Sequence, residues 1–240
     1  MLTAYDSWQA RLVEQSGADI LLVGDSLGMV EQGLDSTAGV TLEQMIYHTR
    51  MAARGRSRIP IVADLPFQSS QSPQAAVESA RKLMAVGADA VKFEGNGNGV
   101  AGALLEAGIP VAGHLGLLPQ TAAEFKVRGK DAAEAQAIRL DARALAAAGC
   151  FSVVLECIPE SLGEEITREG LLPTIGIGAG PGTSGQVLVF QDILHLVDGK
   201  KPKFVPQGYT KVGAVIRQTL EHWGADVRGG TYPSDAETYH

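Results

Sequence analysis

The chain has 240 residues, 45% of them hydrophobic and 20% charged, which is too apolar for a disordered chain. Its formal charge of −7 argues against a nucleic-acid or anionic-membrane partner, and two cysteines, Cys150 and Cys157, are too few for a disulfide framework or a four-cysteine metal site. No run of about 20 apolar residues marks a transmembrane helix. The opening Met1-Leu2-Thr3-Ala4-Tyr5-Asp6 carries neither a basic region nor a long apolar leader, so the expected location is the cytoplasm.

Short apolar runs alternate with longer Ala-, Leu- and charge-rich segments. Leu2–Tyr5 reads as a strand and Trp8–Ser16 as a helix. Ile20–Gly24 is the second strand, nearly continuous in hydrophobicity. The helix Leu42–Arg54 leads to the strand Ile61–Leu65, and the helix Pro73–Val86 opens on a proline and leads to Ala90–Glu94. Pro110–Leu115 is the fifth strand. The helix Ala132–Ala148, the strand Ser152–Cys157, the helix Gly163–Arg168 and the strand Thr174–Gly178 follow, then a weak eighth strand at Lys203–Val205 and a helix at Thr210–Trp223. Gly55, Gly87, Gly108 and Gly149 stand where helices should stop.

Strands apolar throughout suit a parallel sheet covered on both faces. The alternation fits a (β/α)8 barrel or a doubly wound open sheet. Length and strand number favour the barrel: an α/β protein, with residues 1–240 forming a single (β/α)8 TIM-barrel domain.

In such a barrel the active site lies at the C-terminal ends of the strands. Strand two ends in Gly24-Asp25-Ser26, strand three in Asp64-Leu65-Pro66, and strand four in Lys92-Phe93-Glu94. Strand five carries Gly113-His114-Leu115 and strand six ends in Leu155-Glu156-Cys157. Each acid alone could be a helix cap or a paired core charge. Together the acids outnumber Lys92 and His114, and buried unpaired carboxylates are costly. A divalent cation resolves the excess, and all-oxygen donors favour Mg²⁺ or a similar hard ion over Zn²⁺.

Lys92 and Glu94, two apart on one strand, share a face. Lys92 could hold a substrate carboxylate, or form a Schiff base as class I aldolases do. His114 is either a structural or a catalytic histidine. Gly180-Pro181-Gly182-Thr183-Ser184-Gly185 matches G-x-G-x-x-G, but it falls late in the chain, and Asp198, the acid at the expected distance, is not at a clear strand end. A tight turn at the barrel mouth is preferred there over a dinucleotide or phosphate site. Cys150 and Cys157 read as core residues, Trp8, Tyr47 and Trp223 as packing residues, and His48 and His195 as helix-surface residues. His222, Tyr232, Tyr239 and His240 belong to a polar end without an assigned role.

The phrases Thr3-Ala4-Tyr5-Asp6, Val23-Gly24-Asp25-Ser26-Leu27-Gly28, Ala63-Asp64-Leu65-Pro66-Phe67, Val91-Lys92-Phe93-Glu94-Gly95, Gly113-His114-Leu115-Gly116-Leu117, Lys126-Val127-Arg128-Gly129, Leu155-Glu156-Cys157 and Ile175-Gly176-Ile177-Gly178 stand in this order. Together they resemble the ketopantoate hydroxymethyltransferase family.

The resemblance implies a (β/α)8 barrel, a homo-oligomer (usually a decamer) and one Mg²⁺ per subunit. It implies an aldol-type transfer of a hydroxymethyl group from the co-substrate 5,10-methylenetetrahydrofolate to 3-methyl-2-oxobutanoate. The product would be 2-dehydropantoate, on the route to pantothenate and coenzyme A. By matching motifs, Asp25 and Asp64 would bind metal and substrate, Glu94 would hold the metal through water, Ser26 and Lys92 would grip the substrate carboxylate, and Glu156 would be the general base. His114 stands in a second tier.

The chain departs from the family in starting at Thr-Ala-Tyr-Asp without the usual preceding helix, in a short Thr121–Phe125 segment, and in a trimmed Gly95–Gly99 loop. These leave two rival expectations: a Mg²⁺-dependent 2-oxo acid aldolase or lyase without folate, and a non-catalytic oligomer component.

Overall fold

A computed structural model describes residues 1–95, 99–197 and 201–240. The chain forms two compact units, Met1–Val189 and Phe190–His240.

In the first unit eight parallel strands run in sequence order. They are β1 Leu2–Thr3, β2 Leu21–Val23, β3 Ile61–Asp64, β4 Ala90–Glu94, β5 Val111–Gly116, β6 Ser152–Glu156, β7 Thr174–Ile177 and β8 Gly185–Gln186. Leu2 also forms a parallel bridge with Leu188, and the Thr3 N–H donates to the Leu188 carbonyl at 3.2 Å. The curled sheet therefore joins its first strand to the chain just beyond its last.

The connecting helices are α1 Ser7–Gln15, α2 Leu27–Val30, α3 Leu42–Gly55, α4 Pro73–Met84, α5 Val100–Glu106, α6 Ala132–Ala148 and α7 Glu160–Arg168. Their starts are written in the sequence. Asp6, Ser72 and Asp131 each accept a backbone N–H of the first turn, and Thr41 with Gln44 forms a capping box. The second unit contains α8 Phe190–Ile193 and α9 Val212–Gly229. Among the described residues no helix is long and apolar enough to cross a membrane.

Register explains how the sheet builds a site. Leu22 pairs with Val62 and Val62 with Ala90, and these side chains pack with Val154 and Val187 in one buried cluster. Side chains two residues apart share a face. Two residues beyond Val62, Ala90, Ala112 and Val154 stand Asp64, Lys92, His114 and Glu156. The apolar layer inside the sheet thus continues into a polar one at the strand ends. The alternate set, including Ile61, Val91, Phe93 and Val153, is buried as well.

Several sequence expectations are corrected. Lys203–Val205 is a turn, closed by the Val205 N–H on the Pro202 carbonyl at 3.0 Å, and the eighth strand is Gly185–Gln186. The Gly180–Gly185 segment joins two strands, so no helix N-terminus stands there to receive a pyrophosphate, and the dinucleotide reading falls. Asp198 and the centre of the Gly95–Gly99 loop lie outside the described residues.

Residues 121–130 form no helix or strand. Trp8, Tyr47 and Trp223 are exposed and do not belong to the core. Trp223 instead meets the Tyr232 ring edge-on at 6.0 Å. His195 follows α8 with a positive φ, Nε2 against the Pro206 carbonyl at 2.9 Å. Half-buried His48 donates from Nδ1 to the Tyr5 carbonyl at 2.8 Å. Cys150 is buried, but Cys157 is only half-buried.

Gly55 is the last residue of α3, where α1 begins to cross it. A Cβ there would lie 2.0 Å from the Ser7 carbonyl oxygen. Gly55→Ala should therefore cost about 1–3 kcal/mol through overpacking. A thermal melt should show the loss at roughly 2–4 °C per kcal/mol, and an unchanged melting temperature would contradict this close crossing.

Candidate active site

Five of the six ionisable residues singled out by the sequence lie on β3–β6, and Asp25 stands two residues beyond β2. Register sets their contacts. Asp64 is the ladder partner of Lys92, and Glu94 of His114. Accordingly Lys92 Nζ lies 3.0 Å from Asp64 Oδ1, and His114 Nδ1 lies 3.7 Å from Glu94 Oε1. The Asp25 N–H donates to Asp64 Oδ2 at 3.1 Å, which brings two carboxylates side by side. Asp25, Asp64, Lys92 and His114 are all buried.

His114 is fixed from both sides. Lys92 Nζ stands 3.3 Å from Nδ1, and Glu156 Oε2 stands 3.1 Å from Nε2. An ammonium can only donate, so Nδ1 must accept from it. The remaining ring proton is then on Nε2, which faces Glu156 Oε2. Burial and the Lys92 charge push the His114 pKa down, against the pull of Glu156, which keeps this neutral tautomer. The histidine thus orients the Glu156 carboxylate.

Three buried carboxylates face one ammonium. Burial raises the Asp25 pKa to about 7, reinforced by Asp64 and opposed by Lys92 and Gln120. Burial raises Glu94 to about 9, reinforced by Asp25 and opposed by Lys92. Burial acts to lower the Lys92 pKa, but Asp64, Asp25 and Glu94 outweigh it, so Lys92 is held as an ammonium. A Schiff-base lysine needs a neutral amine, so this environment speaks against that reading.

The donor set fits a hard divalent cation: it is all carboxylate oxygen, and it carries an excess of negative charge that one lysine does not balance. Among the described residues no three His, Cys, Asp or Glu side chains stand close enough to hold a metal by themselves. Mg²⁺ takes one or two carboxylates and fills its other positions with water and substrate oxygens, and Asp25 and Asp64 stand side by side.

Ser26 follows Asp25, and its Oγ lies 2.9 Å from the hydroxyl of buried Tyr5. Burial raises the Tyr5 pKa well above the usual phenol value, so the hydroxyl keeps its proton. Gly116, with φ +94°, lets β5 pass Glu156: a Cβ there would lie 2.2 Å from the Glu156 carbonyl oxygen.

Two residues of the site carry no sequence assignment. Tyr5 lies within a matched phrase but is uncharged. Gln120, beyond β5, donates from Nε2 to Asp25 Oδ2 at 2.6 Å and from its backbone N–H to Glu94 Oε2 at 3.1 Å. The only available signal for it was a polar residue after the end of strand five.

A parallel α/β sheet bearing a buried acidic cluster with one lysine at its strand ends has the arrangement of an α/β enzyme. The chain belongs to the ketopantoate hydroxymethyltransferase family, whose sequence profile matches residues 1–235.

The 3-methyl-2-oxobutanoate hydroxymethyltransferase of Heliobacterium modesticaldum is 49% identical over 247 residues, covering 100% of this chain and 89% of that protein. The enzyme of the same name from Anaeromyxobacter dehalogenans is 46% identical, covering 100% of this chain and 82% of that protein. Among solved structures, phosphonopyruvate hydrolase in complex with oxalate and Mg²⁺ superposes with a TM-score of 0.65 at 15% identity, covering 100% of this chain and 86% of that one. The lyase of 2,3-dimethylmalate, a PEP mutase/isocitrate lyase superfamily member, gives 0.60 at 16% identity, covering 99% and 85%. At such identities the likeness is one of fold.

Glu94 makes the pH dependence of stability testable. Its folded pKa, about 9 against an ordinary 4.5, means that the folded state keeps a proton the unfolded chain has released. That contribution is full below the unfolded pKa and is lost as pH rises through the folded one. His114, whose pKa is lowered, is already neutral at the start of this interval. In EDTA, the urea midpoint should fall from about pH 7.5 to about pH 9, and Glu94→Gln should flatten the fall. A variant that kept the full slope would contradict the assignment.

Proposed function

We propose that the chain transfers a hydroxymethyl group to 3-methyl-2-oxobutanoate, giving 2-dehydropantoate, with Mg²⁺ as cofactor and 5,10-methylenetetrahydrofolate as one-carbon donor. Close identity over the whole chain to enzymes named for this reaction carries the reading, and the acid-rich pocket supports the cofactor.

Asp25 and Asp64, with Glu94 through water, would hold Mg²⁺, which when bound would supply Lewis-acid polarisation of the 2-oxo group. Lys92, kept as an ammonium, and the Ser26 hydroxyl receive the substrate carboxylate. With Tyr5 donating to its oxygen, Ser26 is left free to donate its own proton to that carboxylate. Glu156, oriented by His114, removes the proton from C3. Water would release the folate's methylene carbon as formaldehyde, its two hydrogens passing to the nitrogens of the departing tetrahydrofolate; C3 would then attack that carbon, and the new oxygen, derived from the water, would take up the proton held by Glu156. Asp25 and Asp64 also flank the bound substrate.

The fold we read is a closed (β/α)8 barrel, supported by the Leu2–Leu188 bridge. We read residues 1–240 as one domain, a reading supported by a family match that runs to residue 235. We also read the chain as a cytoplasmic homo-oligomer, a decamer by family resemblance. Helix α9 has no buried residue and exposes Ile216, Leu220, Trp223 and Val227, an apolar surface suited to assembly.

Incubation with 3-methyl-2-oxobutanoate and methylenetetrahydrofolate should yield 2-dehydropantoate, detected by mass spectrometry, in Mg²⁺ and not in EDTA. Product formed with formaldehyde but not with the folate would favour a folate-independent aldolase. Glu156→Gln should lower kcat by about 10²–10⁴-fold, with Mg²⁺ and substrate affinities by calorimetry little changed. Unaltered turnover would remove Glu156 from the base role. Asp64→Asn should weaken Mg²⁺ binding, and an unaltered affinity would remove Asp64 from the ligand set.

A further inference from the structure

Gln120 reaches three strand ends from one loop position. Its carboxamide nitrogen donates to Asp25 Oδ2 beyond β2 at 2.6 Å and to the carbonyl of buried Leu65 beyond β3 at 2.9 Å. Its backbone N–H donates to Glu94 Oε2 at the end of β4 at 3.1 Å. Both side-chain partners are acceptors, so the amide nitrogen, not the oxygen, must face them. The loop carrying it is pinned by turns, with Thr121 and Ala122 donating back to the Leu118 carbonyl.

Asp25 needs such a partner. It lies beyond β2, outside the sheet ladder, and its own N–H is committed to Asp64. Fixing Oδ2 fixes the rotation of the whole carboxylate, and therefore the direction in which its second oxygen is presented. The tie to Leu65 fixes the carboxamide in turn, because one nitrogen serves two acceptors in a set geometry.

We propose that Gln120 is a positioning residue that aims the Asp25 carboxylate at the cation through its side chain and ties the rim loop after β5 to the site. The proposal rests on the reading that these carboxylates hold a divalent cation. Groups that orient metal ligands in this way commonly affect affinity as strongly as a ligand does. Glu94 is held by the Gln120 backbone, so a side-chain substitution separates the two ties: it releases Asp25 and Leu65 and leaves the hydrogen bond to Glu94 in place.

The test uses Mn²⁺ as the probe, with free ion followed by electron paramagnetic resonance, on the full chain and without substrate. Gln120→Met keeps the side-chain length and removes the donor, and Gln120→Asn keeps the amide on a shorter arm. The Met variant should bind Mn²⁺ about 10–100-fold more weakly than the unaltered protein, with the Asn variant between them. The metal-free melting temperature of each variant is measured alongside. Lowered melting temperatures with unchanged Mn²⁺ affinity would reduce Gln120 to a structural tie and overturn the proposal. Tighter binding in the Met variant would overturn it too, by making Gln120 a competitor for Asp25. If the unaltered protein binds no Mn²⁺, the cation reading falls and this inference falls with it; unaltered protein that binds while the variants bind equally well sinks this inference alone.

Discussion

The Lys92 ammonium, buried 3.0 Å from Asp64, is the interaction on which the site depends. It pairs with one carboxylate while Asp25 and Glu94 stand close enough to feel the same charge. Burial, reinforced by the neighbouring carboxylates, pushes Asp25 to about 7 and Glu94 to about 9. A site in this state favours whatever brings positive charge, either protons or a divalent ion. The same ammonium settles the histidine: by facing Nδ1 it leaves Nε2–H for Glu156. One lysine thus organises both the carboxylate-rich side of the cluster and the facing of His114 toward Glu156.

That lysine is held charged in the interior because the sheet supplies its partners through register. Parallel pairing places Asp64 beside Lys92 and Glu94 beside His114 without any contribution from loops. One layer below, Leu22, Val62, Ala90 and Val154 pack into an apolar cluster. Groups on strands over such a floor keep their geometry while rim loops change, which is how a curled parallel sheet separates stability from chemistry.

Much of this was legible in the sequence. Ionisable residues at or near the end of an otherwise apolar strand are a strong signal, and Asp64, Lys92, Glu94, His114 and Glu156 all carried it. Period-two spacing put Lys92 and Glu94 on one face, as the structure shows. The eighth strand was illegible because Gly185 and Gln186 have neither length nor β-branching, whereas Phe204-Val205 looked extended but follows a proline and turns. Helix α5 was hidden by its brevity and by an internal glycine. Gln120 and Tyr5 escaped a search for charge because both are neutral, and because the contact of Gln120 with Asp25 spans 95 residues of chain. Exposure of Trp8 and Tyr47 could not be read from residue type, since large aromatics are ordinarily well covered.

The central claim is that the carboxylate surplus around Lys92 makes a cation-dependent site in which Glu156 takes a proton from C3 of the oxo acid. The most direct measurement is NMR-detected deuterium exchange at C3 of 3-methyl-2-oxobutanoate in D₂O, with Mg²⁺ or with EDTA and no folate. The account predicts exchange in Mg²⁺ that EDTA abolishes. Folded protein that exchanges no proton under either condition, or that exchanges equally in both, would contradict it.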